Sequence, residues 1–135
     1  MAGRCKKRVM KKLSLCLLLL GCAALLHAQK TIQASEAREH LGDSVQVCGL
    51  ITGGKYLRQS QTAPTLLDMG GKYPNQQLTL VIPKASRDSF SYEPEKKLLN
   101  QQVCVYGRIQ HFKGKPEIVL HRESQVKIMG SKPAQ

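Results

Sequence analysis

Tryptophan is missing from the chain, and four Tyr and two Phe are all the aromatic residues it has. Any surface that binds by stacking on flat rings must draw on this small set. Acids are scarce too, with nine Asp and Glu against 21 Lys and Arg, a formal charge of +12 over 135 residues. Those acids, among them Asp43, Asp68, Glu93, Glu95 and Glu117, are spread over different segments. A metal-dependent nuclease needs them clustered. There is no C-x-x-C pair for redox work, no glycine-rich phosphate loop and no nucleophile motif. His40, His111 and His121 lack metal-ligand spacing; His111 and His121 are expected on paired strands, but two imidazoles alone make a poor metal site. The sequence thus names no catalytic residue, no metal site and no cofactor, and it reads as a binding protein. With 41% hydrophobic and 22% charged residues and a mean hydropathy of −0.28, it is neither a polytopic membrane protein nor a disordered polyelectrolyte.

What is present begins with an address. Arg4, Lys6, Lys7, Arg8, Lys11 and Lys12 precede an apolar run from Leu13 to Leu26, and Ala28 supplies a small residue after it. A basic start, an apolar stretch too short for a comfortable span and a small residue at the cut predict a secretory signal over residues 1–28. Leu19-Leu20-Gly21-Cys22 admits a second reading, a lipoprotein signal with Cys22 lipidated. The apolar run continuing through Leu25 and Leu26 argues against it. Six basic groups lie in residues 1–28, so fifteen remain against nine acids in the mature chain. Cys48 and Cys104 also remain, and an exported protein keeps them in an oxidising compartment, periplasmic or extracellular.

The mature region, residues 29–135, predicts one small domain. Thr31–Gly42 reads as a short helix, about 34–41, with Ser35 as cap, Glu36 and Glu39 in its first turns and Gly42 at its end. From Asp43 the period changes to two. Val45, Val47, Gly49 and Ile51 share one face, with Gln46, Cys48 and Leu50 on the other. A polar loop, Gly53–Pro64, leads to a second strand, Thr65–Met69, and a third, Leu78–Ile82, closed by Pro83. Residues 84–101 read as helical or irregular, anchored by Phe90, Leu98 and Leu99, with Pro94 opening a turn. The fourth strand repeats the first: Val103, Val105, Gly107 and Ile109 face one way, Cys104 and Tyr106 the other. Lys113-Gly114-Lys115-Pro116 is a turn before the fifth strand at Ile118-Val119-Leu120. Val126-Lys127-Ile128 extends or follows that strand, and the tail from Gly130 is expected to fray.

Three strands, a helical link and two strands suit an all-β, five-stranded Greek-key barrel over about 43–128. The paired V-x-V-x-G patterns at 45–49 and 103–107 put a glycine at matched inward positions, where strands of a small barrel must bend. Two ordinary strands of a sandwich are the plainer alternative, though five strands are few for one.

Val45-Gln46-Val47-Cys48-Gly49, Thr65-Leu66-Leu67-Asp68-Met69-Gly70, Tyr73-Pro74-Asn75-Gln76 with Leu78–Ile82, Val103–Ile109 and Lys113–Ile118 together resemble an OB-fold domain. The likeness spans roughly 32–128. It is to the OB modules of anticodon-binding and single-strand-binding proteins, and more closely to small exported bacterial OB-fold proteins and the OB segments of some extracellular nucleases. In that fold strands 1 and 4 are neighbours. The resemblance thus places Cys48 opposite Cys104, with a cross-strand disulfide or two buried free thiols as the alternatives.

OB-folds bind on strands 2 and 3, between the loop joining strands 1 and 2 and the loop joining strands 4 and 5. Here the first loop would carry Lys55, Tyr56 and Arg58, the second Phe112, Lys113 and Lys115, and the turn between strands 2 and 3 Lys72 and Tyr73. Each cluster pairs cations with an aromatic ring, the combination that suits weak binding of single-stranded DNA or RNA with little sequence specificity. These same residues read equally as an ordinary solvated surface with partly packed rings. The competing function is an envelope protein-interaction module, or one for an oligosaccharide, small ligand or anionic polymer. Asp68, ending its strand, is expected to stabilise the turn that follows.

Overall fold

The computed structural model describes residues 28–131. The predicted signal segment, apart from Ala28, and the tail beyond Ser131 lie outside them. The chain runs β1 (Thr31–Gln33), a 3-10 helix (Ala34–His40), β2 (Ser44–Tyr56), β3 (Thr65–Met69), β4 (Leu78–Ile82), α1 (Lys84–Arg87), α2 (Pro94–Lys97), β5 (Gln101–Phe112), β6 (Lys115–Val119), a short 3-10 turn (Glu123–Gln125) and β7 (Val126–Ser131). No helix among the described residues is long and apolar enough to cross a membrane.

Five of these strands close on themselves. β2 pairs with β3, β3 with β4, β4 with β6, β6 with β5 and β5 again with β2. Within the barrel all pairings are antiparallel except β4 with β6. The chain is an all-β OB barrel. Closure removes the exposed edges of those five strands. The alternation that the sequence predicted is present: Val45, Val47, Ile51, Leu67, Met69, Leu78, Leu80, Ile82, Val103, Val105, Ile109 and Ile118 fill the interior.

β3 and β4 begin and end where the sequence placed them, whereas the long strands run further. β2 continues through Gly53-Gly54-Lys55-Tyr56, so the loop that follows is only Leu57–Pro64. β6 starts at Lys115, and the turn before it is the residue pair Lys113-Gly114, both at positive φ (48° and 81°), as a tight hairpin of right-twisted strands demands. Pro116 therefore lies inside a strand. It is tolerated because β4 joins β6 only from Glu117 onward.

Gly49 and Gly107 do face inward, but they supply room as much as curvature. A Cβ on Gly107 would lie 2.5 Å from Ile118 Cγ2, and one on Gly49 would lie 2.7 Å from Met69 Cγ. The irregularity that lets β2 leave β5 for β3 sits further on, a bulge between Ile51 and Gly53.

Thr31–Gln33 corrects the sequence reading. It is a strand, parallel to β2, with Ile32 buried. The helix behind it is 3-10 and is capped from Gln33, whose N–H donates to Glu36 Oε2 at 2.7 Å, not from Ser35. Its Ala34 and Ala37 are buried, and it packs on β2, β4 and β6. Of the expected anchors in the link, Phe90 and Leu98 are buried, but Leu99 is exposed. β7 does not extend β6; it pairs with β5 and takes in Gly130 and Ser131, which were expected to fray.

Cys48 and Cys104 are register partners in β2 and β5, with Cα atoms 4.0 Å apart, and are joined as a disulfide.

Candidate functional site

Outward-pointing side chains of β3, β4 and β6 form the floor of an open groove of ≈ 780 Å³. Strand register dictates which residues meet there. Asp68 on β3 stands opposite Thr79 on β4, Thr79 opposite Glu117 on β6, and Glu117 opposite Gln110 on β5. A polar row thus crosses four strands. Beside it runs an apolar row, Leu66 opposite Val81. Leu57, Pro64 and Pro83 wall one side, and Phe112, Lys113, Lys115, Pro116 and Tyr73 the other.

Four of the eight residues that the sequence singled out converge here: Tyr73, Phe112, Lys113 and Lys115. Tyr73 is 76% exposed and Phe112 55% exposed, so both rings are open to a ligand. Each has a lysine over it. Lys115 Nζ lies 5.7 Å from the Tyr73 ring centre, and Lys113 Nζ lies 5.4 Å from that of Phe112. Lys115 also donates to the carbonyl of Pro74, tying the hairpin to the β3–β4 turn.

The other four residues are placed differently. Lys55 pairs with Leu66 and shares the sheet face, yet it does not line the groove. Lys72 is exposed in the turn, and Arg58 is exposed in the first loop; neither lines it. Tyr56 is occupied elsewhere. The guanidinium of Arg87 lies 4.0 Å from its ring centre, and that of Arg58 5.4 Å. Arg87 in turn grips Glu95 through two hydrogen bonds of 2.8 Å and donates to the buried Thr65 hydroxyl at 2.6 Å. Tyr56 is therefore part of a clasp that ties α1 and α2 to the β2–β3 ribbon. Sequence spacing could not separate these roles, because Arg87 is remote from Tyr56 along the chain.

Sequence reasoning missed the floor. Asp68 and Glu117, read as scattered acids, are brought to one surface by the non-local β4–β6 pairing. The outward parity of Thr79 and Asp68 was visible; their alignment with Glu117 was not. Glu117 is 9% exposed, accepts a hydrogen bond from Gln110 Nε2 at 2.6 Å and has no ion-pair partner among the described residues. Burial pushes the Asp68 carboxyl above its ordinary value, opposed by the nearby Tyr73 backbone N–H and by the charge of Lys115. Gln76 donates to Thr79 Oγ1 at 3.1 Å, and its buried Oε1 has no partner among the described residues.

The histidines stay apart. His40 faces Asp43 at 3.0 Å, His111 pairs with Pro116, and His121 lies beyond the end of β6 against Ser86 Oγ at 3.3 Å. The paired-strand approach of His111 and His121 does not occur. Among the described residues no three His, Cys, Asp or Glu side chains gather as a metal-binding group.

No protein-family model matches the chain, and no curated protein matches it in sequence. Among the solved structures similar in fold are two synthetases. Asparaginyl-tRNA synthetase from Pyrococcus horikoshii superposes with a TM-score of 0.47 at 13% identity, over 75% of this chain and 23% of the synthetase. A putative aspartyl-tRNA synthetase from Leishmania major Friedlin does so with a TM-score of 0.47 at 9% identity, over 82% of this chain and 22% of that one. The chain thus spans less than a quarter of either synthetase.

Proposed function

We propose that this OB-fold domain is an exported binding module for single-stranded nucleic acid, and that it binds rather than catalyses. The observation that carries the reading is the groove rim, where two exposed rings, Tyr73 and Phe112, each stand beside a lysine above an apolar wall. Rings stack on bases while ammonium groups neutralise phosphates. One ring on one base contributes ~1–3 kcal/mol, so two give micromolar binding with help from the charges. Export is supported by the basic and apolar pattern of residues 1–28 and by the disulfide, which an oxidising compartment preserves. Lys113 and Lys115 are the working cations; Lys55, Arg58 and Lys72 add field, not contact.

The competing occupant, a neutral oligosaccharide or a protein segment, draws on the same apolar wall and on a lining whose two lysines are balanced by Asp68 and Glu117. Fluorescence anisotropy with a labelled oligonucleotide, titrated with salt, distinguishes them. Phosphate binding makes log K fall with log[salt] at about −0.7 per neutralised phosphate. Lys113→Ala with Lys115→Ala is expected to lower the slope by about 1.4 and weaken binding, whereas Lys55→Ala with Arg58→Ala leaves both nearly unchanged. A flat salt dependence in the unaltered protein, or an anionic polysaccharide that binds equally well, would end the nucleic-acid reading.

A further inference from the structure

We propose that the groove floor reads the base: it accepts bases that present amino groups, guanine above all, and turns away thymine and uracil. The proposal rests on the nucleic-acid reading and deepens it. A stacking rim alone is blind to sequence, because every base has the same flat faces. The floor is not blind. Asp68, Thr79 and Glu117 stand on adjacent strands in one row, and the first and last are carboxylates, which when ionised only accept hydrogen bonds. They are two strand spacings apart, roughly 9.5 Å between backbones, which brackets the edge of a single base. The only hydroxyl in the row is that of Thr79.

A ligand for this surface needs three things: donors at its tip, flat apolar faces and negative charge behind. Guanine in a strand has all three, since its N1–H and exocyclic N2 amino group are adjacent donors that fit one carboxylate in parallel. Cytosine and adenine offer one amino group beside an acceptor nitrogen. Uracil and thymine offer a single N–H flanked by two carbonyl oxygens, which would face the carboxylates. A buried acceptor left facing another acceptor is the strongest kind of discrimination a polar site produces. A cationic peptide would also satisfy the floor, but it has nothing for Lys113 and Lys115 at the rim.

The test compares a homothymidine strand with the same strand carrying isolated guanines, adenines or cytosines, measured with the unaltered protein. Guanine-bearing strands are expected to bind about tenfold more tightly than homothymidine, with adenine and cytosine between. Glu117→Gln, which keeps an oxygen for Gln110, and Asp68→Asn are each expected to flatten that preference while still binding homothymidine, with thermal melts confirming that they fold. Equal affinity for all four strands in the unaltered protein, or a preference for thymine, overturns base reading but leaves nucleic-acid binding intact. Failure of every strand to bind overturns both.

Discussion

The most consequential single side chain outside the groove is Arg87. It is 15% exposed, forks onto a Glu95 that is 13% exposed, and sits 4.0 Å over the ring centre of Tyr56. A planar fork that stacks and donates at once is a task for arginine and not for lysine. Arg87→Met leaves the Glu95 carboxylate and the Thr65 hydroxyl without their donor, and is expected to cost about 3 kcal/mol in urea unfolding at neutral pH. Arg87→Lys recovers only part of that. The pair also sets an acid limit. The Arg87 hydrogen bonds hold the Glu95 carboxyl below its ordinary value, against the opposing effect of burial. A carboxyl depressed in the folded state stabilises fully above the unfolded value of about 4.3, and its contribution disappears as pH falls through the folded value. Stability is therefore expected to drop below about pH 4 with a component that Glu95→Gln abolishes. Unfolding free energies of the two proteins that run parallel through the acid range would refute the linkage. None of this was legible beforehand: Glu95 read as one of several scattered acids, and no pattern singled out Arg87.

At the scale of elements, legibility followed locality. β3 and β4 are short, alternate strictly and end at Gly70 and Pro83, so pattern and punctuation agreed and their limits were read to the residue. The 53–56 segment was read as loop because Gly53-Gly54 looks like punctuation. In the folded protein these glycines are pairing residues: a Cβ at Gly53 would meet Asp68 Oδ2 at 2.8 Å, and one at Gly54 would meet the α2 backbone at Glu95. Glycine there means close approach, not a turn. The same distinction applies to Gly107, and it is measurable. Gly107→Ala forces a methyl against the branched Cγ2 of Ile118, which has no room to yield, and is expected to cost about 2–3 kcal/mol. Gly49→Ala meets the flexible Met69 side chain and is expected to cost less. Equal urea midpoints for the two variants would mean that curvature, not room, is what both glycines supply. β1 was missed for a plainer reason: three residues are too few to establish a period, and parallel pairing with β2 is a tertiary fact.

For the whole molecule, the barrel closes along a seam where β2 meets β5, its longest run of paired residues, and these two strands also carry the outer strands β1 and β7. The disulfide lies at that seam and joins positions 56 residues apart. By the chain-entropy argument a loop of that length lowers the disorder of the unfolded state by about 4 kcal/mol, with 2–4 kcal/mol typical. For a domain of this size, whose core alone gives modest stability, that is a large share of the total. Cys48→Ala with Cys104→Ala is expected to lower the denaturation midpoint strongly while leaving the groove unchanged, since neither cysteine lines it. The double variant should therefore bind oligonucleotide as tightly as the parent below its own melting range. Loss of binding by a variant that is still folded would mean that the seam governs the distant β3–β4–β6 face, and the barrel would then have to be treated as one coupled unit in place of a rigid frame with an independent surface.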